Sequence, residues 1–154
     1  MAGLEDLTLL KNAEAVADEV WRTVIAWDAF PRDTLGKQWI RAIDSVGANV
    51  AEAFGRFYFG EKIRFLYYAR GSVYEGKYWL NQAQKRGLVS DEAHRRLASK
   101  LTDIAIQLNN FIRSLKHQRQ AYGSPQSLKE PAPIYSADDT SLFSDENLTW
   151  LLES

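Results

Sequence analysis

The chain has no cysteine among its 154 residues. That single absence removes disulfides, thiolate nucleophiles and thiolate metal sites together. Histidine is nearly as scarce, with only His94 and His117. A di-iron site in a helical bundle needs inward glutamates and two Glu-x-x-His pairs, and the nearest match is Asp91-x-x-His94. An acid at a helix start has an electrostatic reason of its own, so both histidines are expected to be solvated surface residues. There is no H-E-x-x-H, no glycine-rich phosphate loop, no Walker lysine and no G-x-S-x-G, and nothing gathers catalytic groups in one place. The expectation is a protein without enzymatic activity, cofactor, metal or small-molecule substrate. No run approaches the roughly 18–20 uncharged apolar residues of a membrane span, and MAGLEDLTLLKN carries acids where a signal peptide needs an apolar core. A cytoplasmic location away from membranes is expected.

What is present is globular: 45% hydrophobic and 25% charged residues. Four stretches carry helical periodicity and none reads as strand. In the first, about 5–27, Leu9, Ala13, Val16, Val20, Val24 and Trp27 form a stripe widened by Ala17, Trp21 and Ile25, and Pro31 is expected to end the helix. The second, about 35–54, repeats Trp39, Ile43, Val46, Val50 and Ala53 at spacings of 4, 3, 4 and 3. Gly47, Ala48 and Ala51 beside that seam leave room for another helix. The third, about 61–86, places Leu66, Ala69, Val73, Gly76, Leu80 and Ala83 in register beside an aromatic row of Tyr67, Tyr74 and Tyr78, with Gly87 as C′ residue. The fourth opens on Ser90 as N-cap with Asp91 and Glu92 in its first turn, and continues through Leu97, Leu101, Ile104, Leu108, Phe111 and Leu115. Short connections make neighbours antiparallel, which gives an all-α, up-down-up-down four-helix bundle over residues 1–120.

Residues 121–154 differ in kind. They hold three of the four prolines and only Lys129 against six acids, whereas residues 1–120 hold 18 Lys and Arg against 14 acids. This reads as a linker and acidic tail, either disordered or docked, whose last stretch, 144–153, has the pattern of one short capped helix that would present Leu148, Trp150 and Leu151. Docking of those three near Phe57 or Tyr58 is expected to oppose nucleic-acid binding by the basic body.

That binding is expected at a rim. Lys85, Arg86, Arg95, Arg96 and Lys100 bracket the turn between the third and fourth helices, and an up-down bundle brings Arg32, Lys37 and Arg41 to the same end. Clustered cations attract phosphates. Polar Asn49, Glu52 and Glu75 interrupt apolar segments and read as structural partners of Arg64, Arg70 or a tyrosine hydroxyl on a neighbouring helix. Five Trp and seven Tyr exceed what one bundle core of this size needs, which points to self-association.

The string Ser45-Val46-Gly47-Ala48-Asn49-Val50-Ala51-Glu52-Ala53-Phe54-Gly55-Arg56 is similar to S-I-P-S-N-I-A-E-G-F-G-R. Glu61, Arg64, Phe65, Leu66, Ala69, Gly71, Ser72 and Glu75 match E-x-x-R-F-L-x-x-A-x-G-S-x-x-E. Arg86-Gly87-Leu88-Val89-Ser90 resembles L-G-Y-L-S, and Leu108 to Leu115 resembles L-N-x-L-I-x-S-L. These runs resemble the four-helix bundle proteins of 23S rRNA intervening sequences, a family that includes the accessory variability determinant, Avd, of diversity-generating retroelements. The resemblance implies a homopentamer and, in the retroelement branch, a non-catalytic adaptor that binds RNA or DNA and a reverse transcriptase. It assigns Asn49, Glu52, Arg64 and Glu75 structural or interface roles. The family's proline is replaced here by Gly47, so an unkinked second helix is expected, and the link Phe57-Tyr58-Phe59-Gly60 is aromatic rather than basic.

Overall fold

The structure, a computed structural model, describes residues 4–122; Leu148, Trp150 and Leu151, expected to dock from the tail, lie outside the described residues. Four long helices account for nearly everything described, and no strand is present there. They are α1 (Leu4–Ile25), α2 (Lys37–Gly55), α3 (Phe59–Lys85) and α4 (Asp91–Ala121). Each packs on its sequence neighbours, and α1 also meets α4, which closes the up-down-up-down bundle.

The heptad positions go inside. Leu9, Val16, Val20 and Val24 meet Trp39, Ile43, Val46, Val50, Leu66, Val73, Leu80, Leu97, Leu101, Ile104 and Leu108 in one continuous core. Each such side chain contributes about 1.5–3 kcal/mol on burial. The flanking row of α1 does not follow: Ala17 is half-buried, while Trp21 and Ile25 are exposed. Trp27 stacks on Trp39 with ring centroids 5.9 Å apart, so the first connection is pinned to the core.

Pro31 does not end α1, which stops at Ile25. Instead it falls in a short helical turn, Ala29–Pro31, that begins the next segment after Asp28. A first-turn residue has no intrahelical acceptor for its N–H, so a residue lacking that group costs nothing there. This turn runs through a π-helical turn, Arg32–Gly36, into α2. The π turn buries both Leu35 and Gly36, and Gly36 lies so close to Val24 that a Cβ there would collide with it. The small residues of α2 admit α1: a Cβ on Gly47 would stand 3.8 Å from Ala13. As the missing proline implies, α2 is continuous through Asn49.

The turn between α3 and α4 follows the sequence closely. Gly87 adopts φ +72°, and hydrogen bonds from Leu88 N–H to the Ala83 carbonyl (2.9 Å) and from Gly87 N–H to the Gln84 carbonyl (3.0 Å) close a Schellman motif. Ser90 Oγ then accepts from Ala93 N–H at 3.2 Å and caps α4.

Candidate nucleic-acid interface

The bundle has two unlike ends. One carries both the α1–α2 connection and the Gly87 turn, and the expected rim belongs to it. Lys85 lies in the last turn of α3 and Arg86 is its C-cap, while Arg95 and Arg96 follow the start of α4. Arg32 and Lys37 come from the start of the second helical segment, and Arg41 sits one turn further along α2. All eight rim residues are exposed. Arg22, in the last turn of α1, adds a cation that sequence spacing did not single out.

Acids divide this set. Glu19 of α1 accepts from Arg96 Nε and from Lys100 Nζ, each at 2.9 Å. Burial alone would raise the Glu19 carboxyl, but the hydrogen bonds from Lys100 and Arg96 outweigh it and hold the group below the usual carboxylate range. Arg32 Nε bonds Asp33 at 3.2 Å. Arg22, Lys37, Arg41, Lys85, Arg86 and Arg95 have no carboxylate partner among the described residues. Periodicity could not show this, because Glu19 lies 77 positions from Arg96. Phe30, 81% exposed, lies two residues before Arg32 in the same connection.

At the other end, Arg56 gathers the residues of the signature. It forms ion pairs with Glu52 and, at 3.9 Å, with Glu61, and its guanidinium lies 4.7 Å from the Phe65 ring centroid. Arg64 covers the same ring at 5.4 Å. The polar residues expected to bridge helices do not do so. Glu52 pairs with Arg56 at the end of its own helix, Asn49 Nδ2 donates to the Ser45 carbonyl at 2.8 Å, and Glu75 accepts from Trp79 Nε1 at 3.3 Å. Each of these bonds spans four positions along the chain, one helical turn.

The residues that do cross the α3–α4 seam are others. Arg70 Nη1 donates to Asn109 Oδ1 at 2.7 Å and lies over Tyr67. His94 is buried, not solvated: its Nε2 donates to Asn81 Oδ1 at 2.7 Å. Lys77 is completely buried, and its ammonium has no hydrogen-bond partner among the described residues. Burial lowers the pKa of Lys77, and His94 is lowered by burial and by the nearby Lys77 charge, against Asp91. Among the described residues no three His, Asp or Glu side chains approach closely enough to hold a metal.

Tyr67 and Tyr74 are half-buried against the core, whereas Tyr78, Tyr68 and Trp21 are exposed. Phe57 and Tyr58, the expected docking place of the tail, lie at the Arg56 end. The 27 residues of α3 separate that end from the rim by about 40 Å at 1.5 Å per residue.

Residues 5–110 match the profile of the 23S rRNA-intervening sequence protein family. Among solved structures, a protein of unknown function from the S23 ribosomal protein family of Bacteroides thetaiotaomicron VPI-5482 superposes with a TM-score of 0.65. Its sequence is 21% identical, and the match covers 71% of this chain and 99% of that one, a likeness of fold. No curated protein matches the sequence. No helix among the described residues is long and apolar enough to cross a membrane.

Proposed function

The chain belongs to the 23S rRNA-intervening sequence protein family, and on that premise we propose that it is a non-catalytic, self-assembling adaptor for a retroelement, offering nucleic acid a cationic bundle end alongside a reverse transcriptase. The observation that carries this reading is the convergence at one end of Arg22, Lys37, Lys85, Arg86 and Arg95, contributed by all four helices and lacking carboxylate partners among the described residues. Such a cluster releases counterions from a phosphate backbone without reading its bases, and exposed Phe30 offers an unstacked base a ring face.

Self-assembly has its own support. Trp21 and Ile25 lie one turn apart on the outer face of α1, and each is 53% exposed. Tyr68, Tyr78 and Ile106 add apolar surface on α3 and α4. Large side chains of this kind are enriched where protein surfaces meet. The homopentamer implied by the family resemblance is the assembly proposed.

The test is a salt titration of labelled single-stranded RNA against the full chain and a Lys85→Glu/Arg86→Glu/Arg95→Glu variant. Binding is expected to weaken, and the slope of log K against log salt to fall by about 2, at roughly 0.7 for each phosphate no longer neutralised. A folded variant that binds with the parent slope would exclude the rim. Absence of binding by the parent would leave the rival reading, a self-assembling protein-interaction scaffold without nucleic-acid binding whose tail recruits a protein partner. Light scattering checks the assembly, and a monomeric mass would end the pentamer.

A further inference from the structure

We propose that residues 144–153 of this chain dock intramolecularly on the bundle end built from the Arg56–Phe59 link and Tyr122, which makes that end a receptor for the chain's own acidic tail.

The receptor is an aromatic strip. Phe57 is 72% exposed and meets Tyr58 edge-on at 5.2 Å, while Tyr122, 69% exposed, stacks on Phe59 at 6.5 Å with 18° between the rings. Because the rings already hold one another, covering them costs little further side-chain entropy. Cations lie at the same end of the bundle: Lys62 and Arg64 in the first two turns of α3, and Lys116 towards the end of α4, its ammonium 5.5 Å from the Tyr67 ring centroid. Glu52 and Glu61, at this end, are engaged by Arg56.

The ligand follows from where the described chain ends. α4 delivers Tyr122 into the strip itself, and the segment beginning at Ser144 carries Leu148, Trp150 and Leu151 among Asp145, Glu146 and Glu153. Apolar side chains flanked by acids match a bundle end that carries both aromatic rings and cations. Distance selects the same place. The linker of about 21 residues starts at this end, so folding back onto it requires no traverse of the bundle. Reaching the rim, about 40 Å away along the bundle, demands a stretched chain and a larger entropy cost. Proximity also gives the tail a millimolar effective concentration, so weak contacts suffice.

Absence of cysteine makes the test clean. Spin labels are placed on the full chain through Gln120→Cys and Ser154→Cys, and their separation is measured by pulsed electron resonance in excess unlabelled protein, with no nucleic acid present. A single short, narrow distance distribution is expected. It should broaden in a Trp150→Ala variant, in a Phe57→Ser variant whose exposed site leaves the fold intact, and at about 1 M salt, where the Debye length is ~3 Å. A broad distribution in the parent chain overturns the proposal, as does a narrow one indifferent to both substitutions. Loss of the narrow distance on dilution with unlabelled chains would place the tail on another copy and likewise refute intramolecular docking. None of these readouts depends on RNA binding, so failure here and failure of the adaptor reading are separable.

Discussion

Gly76 of α3 lies against Ile43 of α2 so closely that a methyl group at position 76 would overlap Ile43 Cδ1. This contact sits in the most extensive helix–helix packing of the bundle. Alanine is the better helix former by about 1 kcal/mol, but overpacking costs about 1–3 kcal/mol, so Gly76→Ala should lower stability. Adding Ile43→Val removes Cδ1 and should recover part of the loss. Gly71, five residues earlier in the same helix, meets nothing within 4 Å, and Gly71→Ala should stabilise by about 0.5–1 kcal/mol. Chemical denaturation of the four proteins checks both signs. Equal effects at 71 and 76 would refute the packing account.

Gly87→Ala should destabilise by about 1 kcal/mol, because the residue holds φ +72° in a region that costs an L side chain roughly that much. Its surroundings are open, so Gly87→Asn, which tolerates the left-handed region, should lose less than alanine does. Thermal melts followed by circular dichroism will rank the three.

Lys77 and His94 make stability depend on pH at both ends of the range. Burial depresses Lys77 below its ordinary 10.5, so the folded state releases that proton first. Stability should therefore rise as pH climbs through the folded pKa toward 10.5. His94 is depressed below 6.5, so stability should fall as pH drops below 6.5 toward its folded pKa. Lys77→Met, similar in shape but uncharged, should be more stable than the parent at pH 7, and that gain should shrink in alkali. His94→Gln should flatten the acid limb. Parallel pH profiles for parent and variants would contradict the buried-charge assignment.

Glu19→Gln should leave Arg96 and Lys100 without their counter-charge. The stability cost is small, about 0–1 kcal/mol for half-exposed partners, whereas salt-sensitive RNA affinity should increase as two further cations join the rim. The stabilising contribution of Glu19 is present above pH 4.5 and is lost below it, as pH falls through the lowered pKa. Unchanged RNA affinity in this variant would argue that the rim does not meet phosphate.

Periodicity located the bundle because every heptad residue named on the second and third helices is buried. Ser90 and Gly87 announced their turn for equally local reasons. Pro31 misled because the same ring that breaks a helix interior is harmless in a first turn, and only Asp28, without a side-chain capping bond, marks that turn. Lys77 goes unmarked in the sequence and His94 reads there as a solvated surface residue, although both fit the core spacing, with Lys77 between Val73 and Leu80 and His94 three residues before Leu97. A charge-based reading assigns such residues to solvent, and only the three-dimensional seam shows otherwise. Rim positions follow from topology alone, but which of them are neutralised depends on Glu19, a partner distant in sequence and set by how α1 packs on α4.

Since α3 runs unbroken from Phe59 to Lys85, the two ends are joined by a stiff strut. A client held at the Gly87 turn and another seated at Phe57 would be kept at a fixed standoff of about 40 Å, each insulated from the other's charge. The molecule thereby acquires a polarity, head and foot, that a flexible tether between the same two surfaces would lack.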